Sequence, residues 1–306
     1  MREYRIDITQ FEFLSIFSLT VDKEINDHAC AIVSGLISDE NASVYRVKLM
    51  KDVWVLVSAV AENGQSKKIM AGIISGFTID CVSQQKTLTL KIMSGTWLMD
   101  GAVHFRTFQN NSLTYAQVMA AVGKGYTDSD FIGIDAVNMP IGGLLLQYLE
   151  TDWEFLRRIA SQFGSYLIPS TAHIGAKYYV GRKTGGNYRM PDGVPYTAKK
   201  YVGEFMGKSS SGLGALTERD YLECCFQSRD IFDLCDHISL DTYTGYICKI
   251  HSEYTGAELV HTYFLRSEHG MACIPPFNRK HVGCSFDAVI REVKQDVVRI
   301  DVTDDE

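Results

Sequence analysis

No apolar run in the 306-residue chain approaches the roughly 20 residues of a membrane-spanning helix. Its first ten residues, MREYRIDITQ, lack the apolar core of a secretion signal. The expectation is a protein that folds in a cytoplasm. Basic charge is scarce as well: 30 Lys and Arg face 37 Asp and Glu, a net charge of −7. That balance argues against a general binder of nucleic acid or anionic lipid, since both need basic patches. The eight cysteines include no C-x-x-C, and no neighbouring histidine completes a ligand spacing. Reduced, mostly buried thiols acting as small apolar residues are expected, with no metal and no other cofactor. A glycine- and serine-rich stretch over 208–214 contains G-x-G but follows no buried strand and precedes no helix with a lysine. It predicts a mobile loop or insertion and no phosphate loop. What is present is ordinary for a globular protein, 46% hydrophobic and 22% charged residues, in a chain long enough for two or three domains.

The best-defined local signal runs through residues 144–164, LLLQYLETDWEFLRRIASQFG. Residues 144–149 form an apolar run of strand length. Thr151 and Glu154 match the S/T-x-x-E capping box, in which hydroxyl and carboxylate satisfy orphan backbone donors at a helix start. Asp152 adds negative charge where the helix dipole favours it. Trp153, Leu156, Ile159, Ala160 and Phe163 recur at three- and four-residue steps as one apolar stripe. Arg157 and Arg158 come late in the helix, and Gly164 can take the left-handed conformation that ends it. These residues predict a buried strand, a sharp turn and a short capped core helix.

Residues 6–98 read as strands. Segments 11–21, 29–36, 44–50, 53–60, 69–81 and 87–93 are rich in β-branched and aromatic residues, separated by turn signals such as Glu62-Asn63-Gly64. Thr87, Thr89 and Lys91 alternate with Leu88, Leu90 and Ile92, the pattern of a strand with one wet face. Strands at this spacing predict an antiparallel barrel or sandwich. From Trp97 the texture changes. Thr114 and Gln117 form a second capping box before a helix over 115–122, residues 132–140 give a strand and turn, and 166–169 with 177–181 a strand pair. His173 falls in the solvated loop between that pair. Residues 100–182 thus predict a small α/β domain with two helices. Strands return over 221–227, 237–240, 246–253 and 258–266, where the hairpin opening at Gly245 echoes the one opening at Gly76. Residues 285–302 read as one hairpin, too little to pack alone.

The sequence Gln147, Tyr148, Glu150, Thr151, Asp152, Trp153, Glu154, Phe155, Leu156, Arg158, Ile159, Ala160 and Gly164 resembles the central segment of the phage tail hub family. That family includes the late control protein D of contractile tails and the hub part of VgrG, the spike of type VI secretion. Phe108, Gln109, Asn110, Ser112, Thr114, Gln117 and Val118 are similar to its linker domain, and residues 72–77 with 86–93 to its first hub barrel. The resemblance covers roughly residues 70–300. It implies a mainly β fold with α+β character, in which two antiparallel β-barrels flank a small α/β domain. The implied units are a tube-docking type barrel over 1–99, an α/β connector over 100–195, a second barrel over 196–283, and a hairpin over 284–306 where VgrG-like chains begin their OB domain. On this reading the chain is either truncated or a hub whose spike is a separate polypeptide. The motif residues are implied to be structural. The implied partners are two further copies in a homotrimer, the tail tube protein, a spike protein or spike domain, and baseplate wedge proteins, with no membrane and no specific nucleic acid. The implied location is the bacterial cytoplasm during assembly and then a phage tail or secreted injection particle.

The expected function is therefore structural. Three chains with two similar barrels each offer six near-equivalent units, so one particle adapts a hexameric tube to a threefold spike through broad, permanent, apolar interfaces. The alternatives are a tail-associated peptidoglycan-degrading enzyme and a distal-tail adaptor of a non-contractile phage. Glycoside hydrolysis needs two carboxylates across a cleft with their pKa values pushed apart. Glu150/Asp152 and Asp233/Asp236 are the candidate pairs, the first already explained by helix capping. Cys225 with His237 or His251 is a conceivable thiol–imidazole pair without a supporting signature. No catalytic, cofactor-binding or metal residue is expected.

Overall fold

A computed structural model of the chain describes residues 4–209, 216–241, 243–274 and 276–302. Most of the glycine- and serine-rich stretch expected to form a mobile loop lies outside the described residues. The fold is mainly β. Its first unit contains β1 (Tyr4–Ile8), β2 (Ser15–Glu24), β3 (Cys30–Ile37), α1 (Asp39–Lys48), β4 (Trp54–Ala61), β5 (Ser66–Val82) and β6 (Gln85–Met93). The middle segment holds β7 (Val103–Phe108), α2 (Tyr115–Gly123), β8 (Asp130–Gly133), β9 (Leu145–Thr151), α3 (Asp152–Ser161), β10 (Leu167–Pro169) and β11 (Lys177–Val180). The second β unit follows with β12 (Asn187–Arg189), β13 (Tyr196–Lys200), α4 (Val202–Ser209), β14 (Leu222–Ser228), β15 (His237–Leu240), β16 (Tyr243–Tyr254) and β17 (Leu259–Arg266). A hairpin, β18 (Ala288–Lys294) and β19 (Val297–Val302), comes last.

Periodicity accounts for most of the strands. In β6, Leu88, Leu90 and Ile92 are buried while the residues between them face outward; β17 repeats this with Leu259, His261, Tyr263 and Leu265. Of residues 44–50, expected as a strand from their valines, 44–48 belong instead to helix α1 and 49–50 to the turn that follows it. The side chain of Ser38 caps the helix by accepting from Asn41 N–H at 3.1 Å. Asp39 and Glu40 lie in the first turn and Arg46 and Lys48 in the last, both favourable to the dipole. Capping and end charges outweigh the weak strand preference of Val44 and Val47, which stay exposed. The cysteines also differ from expectation. Cys224, Cys235 and Cys248 are buried, but Cys81 is exposed, Cys30, Cys225, Cys273 and Cys284 are half-buried, and Cys273 Sγ accepts a hydrogen bond from Asn26.

Where two separate barrels were expected, strand pairing runs through both β units as one 12-stranded sheet. Its main path is β1-β4-β5-β6-β3-β2-β16-β17-β14-β13, with β15 on the flank of β16 and β12 beside β15. Among the described residues this path does not close into a barrel. The path nevertheless contains the same topology twice: β1-β4-β5-β6-β3-β2 recurs as β12-β15-β16-β17-β14-β13. All pairings match in direction except the outermost, antiparallel for β1 with β4 and parallel for β12 with β15. Strand β12 falls in the segment expected for the connector, yet it pairs with β15 of the second unit. Each copy has its own apolar core, one around Leu19, Val33, Val57 and Leu90, the other around Phe226, Ile238, Ile247 and Tyr263. The copies are joined by β2 against β16, where Asp22 faces His251 (2.7 Å) and Glu24 faces Lys249 (2.7 Å) in register.

The middle segment packs beside this sheet around a third core containing Trp153, Phe155, Leu156 and Ile159. There β7 pairs with β9, and β11 lies between β10 (antiparallel) and β8 (parallel). Gly95 sits where the first unit meets this segment: a Cβ there would come within 1.9 Å of the Gly175 carbonyl oxygen, so only glycine permits the approach.

Candidate functional site

The motif over residues 144–164 folds as strand β9 running directly into helix α3. Thr151 Oγ1 accepts from Glu154 N–H (3.2 Å), and the Glu154 carboxylate accepts from Thr151 N–H (3.0 Å), a complete capping box. Leu149, with φ 51°, makes the sharp turn in the strand, and Gly164, with φ 63°, ends the helix while Ser165 N–H reaches back to Ala160 O. Trp153 is 2% exposed. Its ring lies between His28 (centroids 4.9 Å apart) and Tyr178 (5.9 Å, edge-on). Phe155, outside the expected stripe, is fully buried against Phe108, whereas Phe163 is only half-buried at its edge.

Asp152 stands in the first turn of α3 as expected, but side chains take up its carboxylate, and Glu150 lies before the N-cap and pairs elsewhere. Asp152 is 1% exposed and stands at the centre of a polar cluster. Its Oδ1 accepts from Arg106 of β7 (2.5 Å) and from Gln147 of β9 (2.8 Å), and its Oδ2 from Tyr126 OH (2.7 Å). Arg106 also donates to Gln147 Oε1 (3.0 Å), and His104 Nε2 lies 3.6 Å from Oδ2. Burial, and then the hydrogen bond to the Asp152 carboxylate, push the Tyr126 phenol up from its ordinary range. Glu150 turns the other way and takes both oxygens to Arg158, at 2.7 Å each, while Arg158 also donates to Leu146 O. These are charge-assisted bonds in buried or half-buried surroundings, where breaking one partner is costly.

A second cluster ties the motif to the first β unit. The Thr151 hydroxyl donates to Asp100 (2.5 Å), whose other oxygen meets His28 Nε2 at 2.8 Å, and His28 Nδ1 is hydrogen-bonded to Thr96 (2.9 Å). Burial opposes ionisation of Asp100, but the bonds from His28 and Thr151 outweigh it and hold its carboxyl below the ordinary value. On the outer side, Tyr148 packs against Phe105 and Phe286, and its carbonyl accepts from Asn278 (2.7 Å).

The residues considered for catalysis do not converge. Asp233 is clamped by Lys23 and Lys183; burial opposes ionisation, yet the two ammonium groups hold its carboxyl far below the usual range. Asp236 spends its oxygens on the backbone N–H groups of Gly186 (2.6 Å) and Asp233 (2.8 Å). Cys225 lies on β14 and His251 on β16, with β17 between them, so their backbones stand about 10 Å apart; His237 on β15 is a strand further. Among the described residues no group of three His, Cys, Asp or Glu side chains could hold a metal ion, and no helix is long and apolar enough to cross a membrane. Sequence reasoning missed Arg106, His104 and Tyr126. An arginine alternating with aromatic residues in β7 was the available signal.

Residues 35–177, a little under half of the chain, match the model of the phage tail baseplate hub (GPD) family. No curated protein matches the chain. Among solved structures, it is similar to an Escherichia coli component of the type VI secretion system, itself described as similar to the T4 bacteriophage tail proteins gp27 and gp5. That match has a TM-score of 0.60 at 14% identity and covers 89% of this chain and 79% of that one. It is similar also to the 43 kDa tail protein of prophage MuSo2 from Shewanella oneidensis (0.64, 10% identity, 90% of this chain, 100% of that one). A tail protein from Neisseria meningitidis gives 0.61 at 9% identity, covering 89% and 98%. At such identities the likeness is one of fold. Residues 35–177 thus match the baseplate hub family, and the fold of the chain is similar to that of phage tail and type VI secretion proteins.

Proposed function

We propose that the chain is a structural hub that assembles as a homotrimer between a hexameric tail tube and a threefold spike, with its two β units acting as two opened barrels of one kind. The observation that carries this is the duplicated strand path joined head to tail. Within one chain, β2 of the first copy pairs with the far half of β16, beyond the part that β15 occupies. The equivalent stretch of the first copy is residues 74–82 of β5, which extend past the pairing with β4. The equivalent of β2 is β13. Repeating the same contact between chains therefore sets β13 of one protomer against β5 of the next, a heterologous contact that closes into a ring. The strands from β5 through β6, β3, β2, β16, β17 and β14 to β13 number eight, and three chains of eight give a ring of twenty-four.

Charge supports the match. The internal seam pairs acids on β2 with Lys249 and His251 on β16. Between chains, Lys199 on β13 would meet a strand carrying Asp80. The ring rests on backbone pairing at sheet edges, which otherwise invite uncontrolled association. The connector, over about residues 100–185, fixes the angle between the two copies. Hairpin β18–β19, with Ile290, Val293 and Val297 exposed, belongs to the spike side, where related chains begin an OB domain. Wedge proteins pack around the outside, and the particle forms in the bacterial cytoplasm before joining a tail. No catalytic step is part of this role.

Light scattering of the purified chain tests it. The expected mass is that of three chains, and Ala198→Pro in β13, which removes a backbone donor, should yield monomers with unchanged thermal stability. A wild-type chain that stays monomeric at micromolar concentration rejects the ring.

A further inference from the structure

The first β unit leaves one of its seams unpaired, and the corresponding gap has the form of a binding slot. Strands β1 and β2 are held together at their turn by a bridge between Ile8 and Phe11 and then diverge. Among the described residues β1 pairs with β4 alone, and β16 takes up the outer edge of β2 only from Leu19 onward, so over residues 15–18 that edge carries no strand and has only the loop at Gly256 beside it. A groove of about 630 Å³ follows the divergence, and one of about 660 Å³ continues it past Tyr4 and Glu62; Arg5, Tyr254 and Gly256 line both.

Hydrogen-bond phase determines what the walls offer. Thr9 N–H donates to Leu56 O at 3.0 Å. In an antiparallel pair the backbone groups alternate, so those of Arg5 and Asp7 turn to β4 while those of Tyr4 and Ile6 turn to the groove; Ile8 O is already taken by Phe11 N–H (3.2 Å). Phe13 and Ile16, half-buried against the first core, form an apolar floor, and Leu14 and Phe17 stand exposed at 67% and 48%. The rim is acidic: Asp7, Glu12 and Glu62 against the single Arg5.

We infer that this groove is a docking slot for an extended strand of another polypeptide, about as long as the five-residue β1, with apolar side chains toward the floor and basic ones toward the rim. The free row of backbone donors and acceptors on β1 selects a β-strand, because an extended chain is what satisfies such a row. The apolar floor and acidic rim then select its alternation. Such a strand would close the unit that β1 and β2 leave open. This contact is separate from the ring, which uses β13 and the far half of β5.

The test uses the full chain and fluorescein-labelled peptides followed by anisotropy. Lys-Val-Lys-Val-Lys should bind saturably. Lys-Val-Pro-Val-Lys, lacking a central backbone donor, should bind about tenfold more weakly, and Glu-Val-Glu-Val-Glu should not bind. The exposed changes Glu12→Lys and Glu62→Lys together should weaken the basic peptide about fivefold without altering the fold. Ala257→Trp, which fills the groove, should abolish binding. Amide exchange at Tyr4 and Ile6 should slow when the basic peptide is bound. Absence of saturable binding up to millimolar peptide, equal affinity for the proline peptide, or unchanged exchange at Tyr4 and Ile6 would overturn the slot. Since the readout is peptide binding and not particle mass, failure here leaves the ring untouched.

Discussion

Arg106 Nη1 approaches Asp152 Oδ1 to 2.5 Å, linking the middle of strand β7 to the first residue of helix α3. The contact spans 46 residues of chain and carries Gln147 with it, so three elements of the connector share one buried charge pair. Replacing Arg106 with Met should therefore strand the Asp152 carboxylate and destabilise the protein by about 3–5 kcal/mol. Adding Asp152→Asn should restore part of that loss, because the uncompensated charge is gone. Denaturant unfolding of the two single variants and the double variant checks this; purely additive losses would show that the pair is not coupled.

Trp153 anchors α3 between His28 and Tyr178. Its truncation to alanine should cost about 3–5 kcal/mol, the usual range for a large buried aromatic residue. Calorimetry reads the result directly, and an unchanged melting temperature would mean that the helix is peripheral to the connector's stability.

Thr151 works twice, as N-cap of α3 and as donor to Asp100. Thr151→Ala should remove both and cost about 1–2 kcal/mol, whereas Thr151→Ser keeps the hydroxyl and should cost much less. Equal losses in the two variants, measured by chemical unfolding, would assign the effect to the methyl group instead.

His261 gives the fold an acid sensitivity. Burial, reinforced by the positive charges of Lys23 and Lys67, pushes its imidazole down to about 4 from an ordinary 6.5. Between those values the unfolded chain is the more protonated, so stability is complete above about pH 6.5 and falls as the pH drops toward 4. The whole window is worth about 3 kcal/mol. His261→Asn should flatten the stability profile between pH 7 and 4. An identical slope in variant and wild type would locate the acid response elsewhere, in carboxylates such as Asp100, whose lowered value costs stability only in more acidic solution.

Local signals in the chain were readable where short-range physics decides. Both capping boxes, at Thr114 and Thr151, need only a hydroxyl and a carboxylate or amide three residues apart, and both are present. The alternation of Leu88, Leu90 and Ile92 likewise specified a one-sided strand. Residues 44–50 misled because valines suggest a strand, while Ser38, Asp39 and Glu40 upstream already favour a helix start. The partners of Glu150 and Asp152 were hidden for a different reason. At a helix start the two acids read as part of the cap, but their partners Arg158 and Arg106 are chosen by the turn at Leu149 and by the pairing of β7 with β9.

From residue order alone followed a mainly β chain, a helix-bearing middle segment, the β9–α3 motif and the echo between the strands after Gly76 and Gly245. Each of these depends on contacts within a turn or along one strand, where spacing in the chain equals spacing in space. The pairing of β2 with β16, the merging of two β units into one sheet, the duplicated strand path and the open seam between β1 and β2 arose only in three dimensions. Backbone hydrogen bonds carry no side-chain identity, so which edge meets which is settled by the packing of whole units and not by any residue pattern within one of them.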